Sequence, residues 1–239
     1  MKTPSDWHAK TGAILRKNEW SSQFKQATLD SLVYGSRLLK LSPGEEFIRS
    51  GDLVKSLGVV LEGTLHASRT NAAGKRHIVG YFGPVQIVNL IPVLDDQRSV
   101  HDITAHDETT LLNIPKEVFL SALDSEPMMV RSVLRLLCLR SRALYDNTSD
   151  NALRSLRARC ARMLILLMAS HGEVGSSQVN IMLKISQDEF ADMIGRTRQS
   201  VNPELKQLER DGIIDMKYSR FIIRDPAALR EIVEHDGDI

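Results

Sequence analysis

The chain has 239 residues, 42% hydrophobic and 26% charged. That balance fits one sizeable or two modest globular domains and excludes a collagen-like, low-complexity or disordered chain. Its 31 Lys and Arg nearly cancel 30 Asp and Glu, so net charge alone makes no case for a nucleic-acid partner. The longest strongly apolar run, residues 163–169, is too short to cross a bilayer, and the start of the chain has no apolar stretch of the secretory kind. Cys138 and Cys160 form no C-x-x-C and read as small buried side chains. These features point to a cytoplasmic protein with reduced thiols and no membrane partner.

Residues 1–40 hold two weakly amphipathic stretches, with Ile14, Leu15, Phe24, Leu29, Leu32, Leu38 and Leu39 as candidates for burial. From about 41, short apolar pieces alternate with glycine turns such as Pro43-Gly44, Ser50-Gly51-Asp52, Glu62-Gly63, Ala73-Gly74-Lys75 and Gly83-Pro84. Strands over 57–61, 64–68, 77–82 and 110–114 follow, and turn signals this dense predict an antiparallel sandwich or barrel ending near Ile114. Helix returns after Pro115, proline being suited to a first helical turn. A longer helix opens at Pro127 and runs over about 128–147. Along it Val130, Leu134, Leu137, Ser141 and Leu144 recur at spacings of four and three, the pattern of a coiled-coil seam. Pairing with a second chain is the favoured reading of that seam, and packing within its own domain is the alternative. The polar stretch 146–152 marks a domain boundary. It divides the chain into 1–126, a linking helix over 127–150, and 151–239. Beyond it Leu153, Leu156, Cys160, Met163, Leu164, Leu167 and Met168 make one apolar helix face that stops at His171-Gly172. The fold class is α+β.

The stretch 185–214 carries the most specific signal. Ser186 and Glu189 have the spacing of a capping box. Phe190, Met193 and Ile194 share a face, Gly195 suits a turn of positive φ, and a second helix begins near Thr197. Val201, Leu205 and Leu208 recur at i, i+4 and i+7, and Asp211-Gly212 ends the helix. Two short helices joined by a glycine turn are a helix-turn-helix. Two β-like runs around Tyr218-Ser219 read as a wing, and Asp225-Pro226 opens a last helix. Arg196, Thr197, Arg198, Gln199, Ser200, Asn202 and Lys206 are the candidate DNA-binding residues, types that suit base edges and phosphates. A helical hairpin with a solvated polar face is the plain alternative. Residues 151–239 carry 13 Lys and Arg against 13 Asp and Glu, so local charge adds nothing.

This order of parts resembles the CRP/FNR family of bacterial transcription regulators. The resemblance covers about 30–232. It rests on Leu41-Ser-Pro-Gly-Glu45, Ser50-Gly-Asp52, Val60-Leu-Glu-Gly63, Gly80-Tyr-Phe-Gly83, Arg159-Cys-Ala-Arg-Met-Leu164, Ser186-Gln-Asp-Glu-Phe-Ala191, Ile194-Gly195, Arg198-Gln-Ser-Val201 and Leu205-Lys-Gln-Leu208. It implies an antiparallel, jelly-roll-like β-roll that senses an effector, a homodimer paired through the long helix, a winged helix-turn-helix on a palindromic operator, and RNA polymerase as a possible further partner. A dimer presents two recognition elements about one DNA turn apart.

The chain departs from the family in three places. Cyclic-nucleotide members carry a glycine-glutamate pair and then an arginine-serine pair. Arg98-Ser99 matches the second, and a guanidinium beside a hydroxyl suits a phosphate. Residues 85–90 contain no glycine-glutamate, and Leu144 and Tyr145 stand where the long helix usually offers polar residues to the base. A cyclic nucleotide is therefore disfavoured as effector against another small ligand or none. No cysteine precedes Cys138, which argues against an iron–sulfur cluster. His77 lacks a nearby cysteine, so haem is disfavoured and no metal site is assigned. The third departure is Pro203, inside the second helix. There it removes an amide and clashes with the preceding turn, at about 3 kcal/mol. Two outcomes are balanced. Either the helix tolerates the proline, or it is kinked or starts late with Asn202 as N-cap, leaving a sensing or scaffolding protein whose specific operator binding is weakened or lost. No G-x-S-x-G, G-x-G-x-x-G, P-loop or H-E-x-x-H occurs, so no catalytic role is expected.

Overall fold

A computed structural model describes residues 4–16, 20–175 and 178–236, and the chain divides into two compact units, Met1–Ser141 and Arg142–Ile239. The first unit opens with α1 (Pro4–Arg16) and α2 (Gln26–Tyr34). There follow β1 (Arg37–Leu41), β2 (Glu46–Ile48), β3 (Ser56–Glu62), β4 (Leu65–Thr70), β5 (Arg76–Phe82) and β6 (Ile87–Val88). Next come α3 (Leu90–Asp95), β7 (Asp102–Ala105), β8 (Thr109–Pro115), α4 (Lys116–Ser125) and the long α5 (Pro127–Leu153), which runs through the division.

The strands form two antiparallel sheets, β1-β8-β3-β6 and β2-β7-β4-β5. Alternation along a strand sends successive side chains to opposite faces, and β3 and β8 are apolar on both. Val60 and Leu111 join Leu65, Ala67, Ile103 and Ala105 in a core between the sheets. Leu57, Val59, Leu112 and Ile114 turn the other way, into a larger core with Leu15, Leu29, Leu32, Phe119, Met129 and Val133 from the helices. This antiparallel roll is the expected sandwich, but it starts earlier. Leu38 and Leu39 lie on β1, paired with Leu112 and Leu111, rather than in the N-terminal amphipathic stretch. Pro115 ends β8 and is the N-cap of α4, so helix returns after it, as the sequence predicts.

Two details fix the roll. Gly63 has φ +79, and a Cβ there would meet the carbonyl oxygen of Glu108 at 2.2 Å, so the β3–β4 turn needs glycine. Glu126, 2% exposed, accepts from the Thr28 hydroxyl at 3.0 Å and the Lys25 amide at 3.3 Å, capping the start of α2 from a distant part of the chain.

The second unit holds the end of α5, then α6 (Leu156–His171), β9 (Gly172–Val174), β10 (Val179–Ile181), α7 (Gln187–Ile194), α8 (Arg198–Arg210), β11 (Ile214–Lys217), β12 (Arg220–Ile223) and α9 (Pro226–Glu234). The polar stretch 146–152, read from sequence as a boundary, is helical to Leu153. The Thr148 hydroxyl bonds the Leu144 carbonyl at 2.8 Å, and Asp150 pairs with Arg154 at 2.7 Å one turn on, so local side chains sustain the helix. The break falls at 154–155, where Ser155 caps α6 by accepting from the Ala158 amide. The wing hairpin is part of a four-stranded sheet, β11-β12-β10-β9, whose last two strands sequence reading missed.

Candidate nucleic-acid interface and effector site

Ser186 accepts from the Glu189 amide at 3.2 Å, and the Glu189 carboxylate returns to the Ser186 amide at 2.9 Å, completing the capping box that starts α7. Gly195, at φ +71, closes the helix in the left-handed region. Thr197 then caps α8, accepting from the Ser200 amide. Val201, Leu205 and Leu208 are fully buried and anchor one side of α8. At 100° per residue the opposite side carries Gln199, Pro203, Lys206 and Arg210, all exposed. Arg196, Thr197, Arg198 and Ser200 are also exposed, at the entrance of the helix. Arg198 pairs with Asp188 at 3.1 Å. Asn202 is half-buried, the least exposed of the candidates, and its Oδ1 has no hydrogen-bond partner.

Pro203 does not delay the helix. α8 begins at Arg198 and continues to Arg210 with the proline inside it, so Asn202 is not its N-cap. The reason is positional. Pro203 sits opposite the buried stripe, and the carbonyl it leaves without an amide belongs to the exposed Gln199, which water can reach.

Two further groups complete this surface. Arg159 on α6 is 8% exposed and donates to the Ile194 carbonyl, tying α6 to the end of α7 just before the turn. Burial pushes its guanidinium down, and neighbouring Arg196 adds to this. At the wing tip Tyr218 and Ser219 have φ +49 and +62 between the paired Lys217 and Arg220, a tight primed turn built without glycine. Tyr218 is 97% exposed, and the Ser219 carbonyl accepts from the Ile185 amide at 2.8 Å. The groove between this tip and the start of α7, about 320 Å³, is lined by Asp188, Arg198, Lys217 and Arg220 among others. The turn itself was legible from sequence; the exposure of its tyrosine was not.

In the first unit, Arg98 is exposed and donates to the Gly51 carbonyl at 2.7 Å, and buried Ser99 donates to the His101 carbonyl at 2.8 Å. The Arg98 side chain thus holds the Ser50–Asp52 loop against the lead-in to β7, while Ser99 bonds that loop through its main chain, to Gly51 and Asp52. Leu144 and Tyr145 are exposed on α5, beyond the division of the chain. Two residues that sequence reading passed over lie around β6. Arg140 donates to the Ile87 carbonyl at 2.6 Å with its guanidinium 5.7 Å from the Phe82 ring centre. Asn89 is 8% exposed, and its Nδ2 has no acceptor.

Of the seam residues, Val130, Leu134, Ser141 and Leu144 are exposed, while Leu137 packs in part against the outer core of its own unit. The exposed stripe on α5 therefore follows Val130, Leu134, Cys138, Ser141 and Tyr145. Cys138 is exposed, against the sequence expectation, because it lies on this stripe; Cys160 is buried. Among the described residues no helix is long and apolar enough to cross a membrane.

Residues 38–126 match the family model for a cyclic nucleotide-binding domain, and residues 158–232 match that for a Crp-like helix-turn-helix domain. The CRP-like cAMP-activated global transcriptional regulator of Mycobacterium tuberculosis is 20% identical over 186 residues, 78% of this chain and 83% of that protein. The transcriptional activator protein anr of Pseudomonas aeruginosa is 26% identical over 205 residues, 84% of this chain and 82% of that protein. The structure of FixK2 from Bradyrhizobium japonicum superposes with a TM-score of 0.74 at 16% identity, covering 82% of this chain and 96% of that one. The two matched domains, in this order and on this fold, make the chain a member of the CRP/FNR family of DNA-binding transcription regulators.

Proposed function

We propose that the chain acts as a cytoplasmic homodimer, paired along the exposed stripe of α5, that places two α8 helices in successive major grooves of a palindromic operator and answers to an effector held in the roll. The observation that carries this reading is α8 itself. One face is anchored by Val201, Leu205 and Leu208, and the other presents Gln199, Lys206 and Arg210 beside an entrance of Arg196 and Arg198. Base edges and phosphates are what such a face recognises. The uninterrupted helix favours operator binding over a scaffold that has lost it. A regulator of this kind also offers surfaces to RNA polymerase.

The test is a shift assay on promoter fragments with excess competitor DNA, together with light scattering of the free protein. A competitor-resistant complex and a particle of twice 26.8 kDa support the reading. Only salt-labile, sequence-independent binding, or a monomer at micromolar concentration, overturns it. Leu134→Glu, on the stripe and 56% exposed in the single chain, is expected to yield monomers that bind the operator weakly.

A further inference from the structure

We propose that the roll carries a metal site on its outer face, where His66, Tyr81 and His106 hold one first-row transition-metal ion, Cu²⁺ being the ion that this donor set fits best. The site goes beyond the effector reading, since it lies on the side of the sheet β2-β7-β4-β5 turned away from the core between the sheets. Alternation settles the side. Leu65 and Ala67 on β4, Ile103 and Ala105 on β7, and in part Phe82 on β5 pack into that core. His66 lies between the first two and is paired with Tyr81 on one side and Thr104 on the other. His66 and Tyr81 therefore share the opposite face. His106, two residues after Thr104, comes up beside them.

The three rings meet there. The His66 ring centre is 5.9 Å from that of Tyr81 and 6.4 Å from that of His106, and the last two are 5.0 Å apart. His66 and Tyr81 are each 8% exposed, and His106 is half-buried. Their main chains are fixed. His66 and Tyr81 belong to the β4–β5 ladder. His106 lies just past β7, where its amide donates to the Thr64 carbonyl at 2.8 Å and the Asp107 carboxylate accepts from the Thr64 amide at 2.6 Å. A metal bonded at about 2.0–2.1 Å to an imidazole nitrogen lies roughly 3 Å from the ring centre, so two imidazoles on one ion have centres roughly 4.5–6.5 Å apart as their angle opens from cis to trans. The histidine pair falls at the open end of that range, and the phenol oxygen reaches farther from its ring than a nitrogen does. The outer torsions of His and Tyr have broad wells, so the donor atoms can turn to one point while the strands stay in place.

The donor set names the ion. Among the described residues no three His, Cys, Asp or Glu side chains come together for a metal, so the third donor here is a phenol. Without carboxylates the site does not suit Mg²⁺ or Ca²⁺, and without thiolate it does not suit soft ions. Two imidazoles and a phenolate suit a borderline ion in open, tetragonal geometry, and at such a nitrogen–oxygen site Cu²⁺ binds most tightly of the first-row divalent ions. Binding releases the Tyr81 phenol proton to solvent as its oxygen bonds the metal. The ligands come from β4, β5 and the segment after β7, so the ion cross-links the sheet from outside. Strand pairing alone brings these residues together, which is why sequence reading assigned no metal to them.

The test uses the full chain without DNA or a histidine tag, in a Cys138→Ser background so that the exposed thiol takes no part. Copper(II) chloride and magnesium chloride are the probes, read by calorimetric titration, visible absorption and thermal unfolding. One Cu²⁺ per chain is expected to bind, to raise the unfolding temperature and to give a phenolate-to-copper charge-transfer band, while Mg²⁺ does none of these. His66→Asn and His106→Gln are each expected to weaken binding by about a hundredfold, since even outer-shell partners of a metal are worth about ten- to a hundredfold. Tyr81→Phe should abolish the band while the metal-free unfolding temperature stays close to the parent's, which a role in packing alone would not produce. His106 is half-buried, so His106→Gln carries the test should His66→Asn fail to fold. No copper binding by the parent, binding without the band, an equal response to Mg²⁺, a band that survives Tyr81→Phe, or an affinity unchanged in His106→Gln overturns the proposal. Because operator binding is not read, failure here leaves the regulator assignment standing, and failure of the shift assay leaves this site standing.

Discussion

Replacing Pro203 by alanine is expected to stabilise the second unit. A proline inside a helix costs about 3 kcal/mol relative to alanine, from the lost amide and the clash with the preceding turn. Here it is the sixth residue of α8, and the bond it removes is the one to Gln199. Both residues are exposed, so water recovers part of the loss at the carbonyl. Proline also stiffens the unfolded chain, worth roughly 0.4–1 kcal/mol in the opposite direction. The net gain is therefore about 1–2 kcal/mol, which for a domain of about 100 residues moves the unfolding midpoint by at least roughly 4 °C. Scanning calorimetry of the full chain, with the two units as separate transitions, reads this directly. An unchanged or lower midpoint for the second unit would refute the reasoning, since it would mean that α8 gains nothing from a restored amide. Pro203→Arg adds a cation to the centre of the outward face. It should steepen the dependence of operator affinity on salt by about 0.9 in the log–log slope, the value of one phosphate contact.

Four other outcomes follow from particular contacts. Thiol titration should show Cys138 reacting quickly in the Leu134→Glu monomer and more slowly where the α5 stripe is paired, and Cys160 only on unfolding in both, because burial, with Glu204 adding to it, pushes the Cys160 thiol up to about 12. His101 is held below the ordinary histidine value by burial first, then by Arg69 and His77, with Asp102 opposing. The unfolded chain thus binds this proton more readily than the folded one. The associated stability is present above about pH 6.5 and is lost as pH falls through the lower folded value. His101→Asn should flatten that loss in melting curves of the first unit. Glu126→Ala leaves the Thr28 hydroxyl and the Lys25 amide without their acceptor and should cost about 2–3 kcal/mol in urea unfolding of the first unit. At the wing, Lys217→Ala with Arg220→Ala should lower the salt slope of operator binding by about 2 with little change in sequence preference; an unaltered slope would remove the wing tip from the DNA contact.

The helix-turn-helix was readable because every local signal agreed. The capping box at Ser186, the left-handed Gly195 and the buried spacing of Val201, Leu205 and Leu208 each have a sequence form that the backbone must honour. Pro203 was ambiguous for the opposite reason. Its local chemistry offered Asn202 as a competing cap, and only packing on the far side of α8 decides between them. The roll was legible as glycine-punctuated strands, but β9 and β10 are three residues each, too short for alternation to register. Arg140 was hidden by its setting on a long helix, where an arginine reads as solvated. Asn89 was hidden because an unsatisfied amide is a property of surroundings, not of spacing. The Arg98-Ser99 pair shows the converse: a motif can be present and its side chains already engaged by main-chain carbonyls, those of Gly51 and His101.

Strands β3 and β8 carry side chains in both hydrophobic layers. Since packed interiors yield little to compression, neither strand can slide or tilt to suit a guest on the β6 side without disturbing Phe119 and Met129 at the back. Phe119 sits on α4, and Met129 on the first turn of α5. The middle sheet thus behaves as a stiff diaphragm. What presses on one surface is felt on the other, at the root of the helix that leads away from the roll.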